Sequence, residues 1–211
     1  MPTTSRSPVI PLTLALVVLA ALLGSGIAPF DRLTWIMEVL PAVIALGVLA
    51  ATWRRYPLTD LLYVLIALHA LVLILGGAYT YARVPLGFWL QDLFELARNP
   101  YDRLGHFMQG FVPAMVAREI LLRGGYVRGR RTAAFLCVCV ALAVSACYEL
   151  IEWWAAVALG QGADEFLGTQ GDQWDTQWDM FMALIGSACA MLLLGRWHDR
   201  LLTRFGTGQP G

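Results

Sequence analysis

The chain has 211 residues, of which 58% are hydrophobic and only 14% charged, and its mean hydropathy is +0.62. No soluble domain of this size has a core large enough to hide so much apolar sequence, so the composition predicts an all-α polytopic membrane protein. Fifteen acidic residues balance fifteen basic ones, every one of them arginine; the zero net charge argues against nucleic acid as a partner.

In chain order, Arg6 precedes an apolar run over residues 9–28. It reads as a first span and not as a signal peptide, because GSGIA makes a poor cleavage site. A second span is predicted over 35–53, bracketed by Trp35 and Trp53 as interfacial anchors, and a third over 59–79. Hydropathy then falls. The stretch VPLGFWLQDLFELA is too polar to span and too apolar for a free linker, which predicts a short amphipathic helix lying at the interface.

A fourth span is predicted over 102–122, followed by the Arg-rich turn RGGYVRGRR, a fifth over 132–159 and a sixth over 173–195. The basic tail over 196–211 is expected to fray. All of this forms one membrane domain without internal repeats. With both termini inside, the cytoplasmic segments hold Arg6, Arg54, Arg55, Arg123, Arg128, Arg130, Arg131, Arg196, Arg200 and Arg204, against Arg32, Arg83, Arg98 and Arg103 outside. Short loops rich in arginine stay in the cytoplasm, so this bias sets the expected orientation.

That orientation assigns a depth to each buried acid at about 1.5 Å per residue. Asp102 and His106 open the fourth span on the outer side, Glu149 and Glu152 lie near the outer end of the fifth, and Asp172, Asp175 and Asp179 occupy the outer turns of the sixth. Glu38 sits about one turn inside the outer end of the second span. A carboxylate in lipid is costly unless it faces the bundle interior and finds a partner, so these residues are the candidate functional set.

Helical phase sharpens the pattern. Asp102, His106 and Gln109 share one face of their span, Asp172, Asp175 and Asp179 share another, and Glu149, Glu152, Ser145 and Tyr148 form a stripe. Acids grouped this way need protonation, pairing with Arg103 or Arg98, or a bound cation. Paired acids on two helices with an Asp-x-x-x-His pair on a third suit a metal site. Oxygen-rich donors favour Mg²⁺, Ca²⁺ or Mn²⁺, and the histidine admits Zn²⁺ or Fe²⁺. The competing reading has the acids capping helix starts and holding helices together by hydrogen bonds.

Other residues read as structural. Cys137, Cys139, Cys147 and Cys189 lack metal-ligand spacing and fill apolar space. His69 is expected to pack with a hydrogen bond, and Glu119 with Arg118 and Arg123 reads as an ion pair at the inner boundary. Trp153, Trp154, Trp174 and Trp178 would wall the acid cluster.

At YDRLGHFMQG, YELIEWW and GDQWDTQWDM the chain resembles the YjdF-like bacterial inner-membrane proteins, over nearly its whole length. The resemblance implies a six-span inner-membrane protein and brings no activity with it. More distantly, Asp and His opening one helix, an acid pair ending the next, and Gly-Asp before an apolar helix resemble the VanZ-like membrane proteins linked to glycopeptide resistance. The double tryptophan, Asp175 and Asp179 depart from that pattern.

The leading expectation is a metal-dependent membrane enzyme, a hydrolase or transferase, open to the outer leaflet and acting on a lipid or lipid-linked envelope substrate. Asp102, His106, Glu149, Glu152 and Asp179 would serve as ligands or bases, with Asp172 and Asp175 at the mouth. A cation- or proton-coupled transporter and a non-catalytic binding or assembly protein are the alternatives.

Overall fold

The computed structural model describes residues 8–159 and 169–205. Among these, the chain is all-helical: α1 (Val9–Ser25), α2 (Arg32–Thr52), α3 (Asp60–Tyr79), α4 (Pro85–Leu93), α5 (Tyr101–Arg123), α6 (Arg130–Leu159) and α7 (Asp175–Leu202), closed by a 3₁₀ turn at Thr203–Phe205. Four of them, α2, α3, α6 and α7, are long and apolar enough to cross a membrane. Of the other two predicted spans, α1 is apolar but only 17 residues long, and α5 is long but carries Asp102, His106, Gln109, Arg118 and Glu119.

Starts and stops follow local chemistry. Asp31 caps α2, its carboxylate accepting from the Thr34 N–H at 2.7 Å; that bond holds the Asp31 carboxyl below the usual carboxylate range. Pro85 opens α4 at a position where its missing N–H costs nothing. α3 ends on Thr80 and Tyr81, both left-handed in φ.

The most polar long helix is the most enclosed. α5 packs against α3, α6 and α7, because its polar groups cannot face lipid and must be satisfied inside protein. Leu62, Tyr63, Val112, Met115 and Ala190 form the core between α3, α5 and α7. Val18, Val39, Ala42, Ala67 and Ile74 join α1 to α2 and α3, and Ala114, Cys137 and Ala141 join α5 to α6.

The α5–α7 contact is close and rests on two glycines. A Cβ on Gly110 would lie 1.9 Å from the Ala183 carbonyl oxygen, and one on Gly186 would lie 2.0 Å from that of Phe107. Backbone meets backbone at these points, as small residues allow in membrane helix pairs. Gly110 is one turn below His106 and Gly186 two turns below Asp179, so this contact sets the separation of those two side chains.

The C-terminal end of α7 departs from expectation. The helix does not fray at residue 196 but runs to Leu202, because its last turns are held by a buried polar network. Glu119 accepts from Thr59 N–H at 3.0 Å, Thr59 Oγ1 at 2.7 Å and Arg123 Nη1 at 2.6 Å, and its Oε2 is 2.9 Å from His198 Nε2. Arg118, expected to pair with Glu119, instead bonds His198 Nδ1 at 2.8 Å and pairs with Asp199. Arginine only donates, so His198 Nδ1 carries the lone pair and Nε2–H donates to Glu119. With its hydrogen bonds satisfied on all sides, the network is a staple between α3, α5 and α7.

Candidate functional site

The N-terminal half of α5 places Asp102 and His106 one turn apart, and α6 and α7 bring their acids to the same imidazole. His106 Nε2 lies 3.6 Å from Asp102 Oδ1 and 3.9 Å from Asp179 Oδ2, while Nδ1 lies 3.6 Å from Glu149 Oε1. Asp102, His106 and Asp179 each offer a ligand atom, and these atoms lie within 4.8 Å of one another. All four residues are buried. Three helices that are distant in sequence therefore converge on one ring.

The hydrogen-bond inventory defines what the site lacks. His106 Nδ1 is 3.1 Å from Gln109 Oε1, an acceptor, so Nδ1–H donates to Gln109 and Nε2 is the nitrogen that faces the Asp102 and Asp179 carboxylates. Asp102 Oδ2, Glu149 Oε1 and Asp179 Oδ1 are buried with no hydrogen-bond donor among the described residues. Carboxylate oxygens left without donors in a low-dielectric interior need a proton or a cation. The donor set of one imidazole and two carboxylates fits a divalent ion, with Gln109 holding the imidazole in the tautomer that a ligand requires.

The remaining predicted residues form layers around this centre. Glu152 is buried beside Glu149 on α6. Glu38 accepts from Tyr148 Oη at 3.0 Å, tying α2 to α6. Asp175 pairs with Arg98, and Arg103 Nη2 lies 3.3 Å from Asp172. Asp172 lies before α7 and not on it: its Oδ1 accepts from the Trp174 N–H at 2.9 Å, so it shapes the turn that starts the helix.

Three expectations need correction. Trp153, Trp154, Trp174 and Trp178 do not wall the cluster; each is exposed, since the phase that turns Glu149 and Glu152 inward turns their neighbours outward. His69 does not satisfy its ring, because Nε2 is buried without a partner. Cys139 and Cys147 are exposed, so of the four cysteines only Cys137 fills the core.

Sequence reasoning missed the groove that begins at this cluster. A cavity of about 760 Å³ runs between α2, α3, α5 and α6 from Tyr148, Gln109 and His69 to Tyr56 and Tyr126 at the other end. Pro41 and Pro113, prolines inside α2 and α5, both line it. The only advance signals were those two helix prolines and the lone His69.

An all-helical integral membrane protein with a buried Asp/Glu/His cluster is the class that this fold and site define. The chain belongs to the DUF2238 family of predicted membrane proteins, whose profile matches residues 10–200. It is 62% identical to the inner membrane protein YjdF of Escherichia coli (strain K12) over 204 residues, which is 97% of this chain and 98% of that protein. No solved structure matches it. The chain is an inner-membrane protein, and its resemblance to the YjdF-like proteins holds over nearly its whole length.

Proposed function

We propose that the chain is a single membrane domain of six spans, α1, α2, α3, α5, α6 and α7, with both termini cytoplasmic and an outward-facing metal-dependent active site acting on a lipid or lipid-linked substrate. The arginine bias supports the orientation, and the enclosure of α5 by three neighbours supports its place as a span despite its polarity. α4 lies at the outer interface: Leu86, Phe88, Trp89 and Leu93 are exposed while Gly87 is buried against the protein.

The observation that carries the catalytic reading is the convergence of the Asp102 and Asp179 carboxylates on His106 Nε2. Asp102, His106 and Asp179 would hold a divalent ion, whose chemistry when bound is to polarise an ester or phosphoryl oxygen and to acidify water. Glu149, 3.6 Å from the imidazole Nδ1, would hold or take up a proton beside the ring, and Gln109 would fix its orientation. Glu152 and Glu38 supply further negative charge, with Tyr148 as a donor between α2 and α6. The apolar lining of the groove below the cluster weighs against a continuous ion path to the cytoplasmic face.

Elemental analysis of the purified full-length protein tests this reading. The wild type is expected to carry about one divalent ion per chain, and Asp179→Asn and Glu152→Gln to remain folded, the first losing the ion. Wild-type protein that binds no divalent ion after titration, or an Asp179→Asn variant that keeps it, would sink the reading in favour of acids that only hold helices together.

A further inference from the structure

Two features flank the acid cluster along α5. On the outer side is a small cavity of about 330 Å³, lined by Arg98, Arg103, Gln170, Gly171 and Asp172. Both arginines are anchored. Arg98 Nη1 donates to the Thr169 carbonyl at 2.6 Å and its other arm pairs with Asp175, while Arg103 bonds Asp172 and stacks 5.2 Å from the Trp178 ring centroid. Each nevertheless keeps a buried Nε–H with no acceptor among the described residues. A guanidinium N–H without a partner is costly, so a ligand that brought acceptor oxygens to these two arginines would be favoured.

On the inner side is the apolar groove. It follows α5 from Gln109 to Gly124, about 22 Å at 1.5 Å per residue, more than the roughly 15 Å depth of one hydrocarbon leaflet. Val48, Ile120, Val140 and Val144 line it yet are exposed, so it opens sideways between α2 and α6. A chain could enter it from the bilayer without passing through water. Its outer end is polar: Gln109, Tyr148 and His69, whose buried Nε2 lacks a partner.

The order along α5 is therefore arginine-lined pocket, acid cluster, apolar groove. Arg103 and Gln109 are six residues apart, about 9 Å, with His106 halfway between. We infer that the substrate is a single-chain phosphate amphiphile whose hydrocarbon lies in the α2–α3–α5–α6 groove and whose phosphate meets Arg98 and Arg103, so that the bond between them lies beside His106. The inference rests on the catalytic reading for the word substrate, but the two binding subsites stand on their own residues. Phosphate is the anion whose several oxygens suit two guanidinium forks at one cavity. Asp172 lines the same pocket; it occupies one nitrogen of Arg103 and leaves Nε free.

Binding to the full-length protein in detergent micelles tests this, with three probes: oleoyl lysophosphatidic acid, monooleoylglycerol, which has the same chain without phosphate, and inorganic phosphate. The phosphate amphiphile is expected to bind at least about tenfold tighter than the uncharged one. Arg103→Gln should erase most of that preference. Arg98→Gln should do so too where it folds; its bond to Thr169 makes Arg103→Gln the decisive variant. Val48→Trp, filling the groove from its open lip, should weaken both amphiphiles alike and leave inorganic phosphate unaffected.

Equal binding of the two amphiphiles, or a preference untouched by Arg103→Gln, overturns the phosphate subsite. Binding of inorganic phosphate as tight as that of the lysolipid, insensitive to Val48→Trp, overturns the amphiphile in favour of free phosphate. Metal content separates this from the catalytic reading: a metal-free wild type that still prefers the phosphate amphiphile ends that reading and supports the two subsites.

Discussion

Replacing Gly110 with alanine is a one-methyl test of how the cluster is assembled. The new Cβ would stand 1.9 Å from the Ala183 carbonyl oxygen and 2.6 Å from its carbonyl carbon and Cα. No side chain can swing aside, because the obstacle is helix backbone. To regain ordinary contact near 3.4 Å, α5 and α7 must part by about 1.5 Å at this turn. The His106–Asp179 distance then widens from 3.9 Å to about 5.4 Å. Donors 2.0–2.6 Å from one ion lie at most about 5 Å apart, so Asp179 leaves the ligand set while Asp102, on the same helix as His106, stays. Overpacking of this kind costs about 1–3 kcal/mol. Thermal unfolding in detergent should show the loss, and titration with a divalent ion should show binding weakened by about tenfold or more, as for loss of one ligand. Wild-type stability in Gly110→Ala would refute the close backbone contact. Reduced stability with unchanged ion binding would refute the claim that this contact places Asp179 in the site.

Other expectations follow from separate parts of the molecule. His198→Ala removes one donor from buried Glu119 and the acceptor facing Arg118; it should destabilise the protein by about 1–3 kcal/mol in thermal unfolding while leaving divalent-ion binding intact. Asp31→Ala should cost about 1 kcal/mol as a lost N-cap. Because the folded-state pKa of Asp31 lies below the ordinary value of 3.8, its contribution is present above that value and fades as pH falls through the lowered one, which urea unfolding of the two proteins across acidic pH would reveal. A reporter fused after Gly211 should read as cytoplasmic and one inserted near Gly162, outside the described residues, as external. A cytoplasmic signal at Gly162 would invert every depth assigned to the acids.

Much of the architecture was legible in the chain because a bilayer leaves few options. Long apolar runs have to be helices, since no other open segment satisfies its backbone in lipid. Their ends fall within a few residues of expectation except at the last span, where the helix continues through His198 and Asp199 to Leu202. That extension was hidden because a basic stretch reads as solvated tail until a buried partner is known, and Glu119 and Arg118 lie about eighty positions earlier.

The acids and their grouping by helix face were likewise readable, because a helix fixes the angle between its own residues. What no single helix fixes is its rotation and distance relative to the next. The Gly110–Ala183 and Gly186–Phe107 contacts decide those for α5 and α7, and with them that His106 meets Asp179 and that Asp172 stays outside. The same packing turned the tryptophans outward and left open the groove that starts at His69 and Tyr148. Periodicity is a property of one segment; convergence and cavities belong to several at once, and only tertiary packing, through close backbone contacts, sets them.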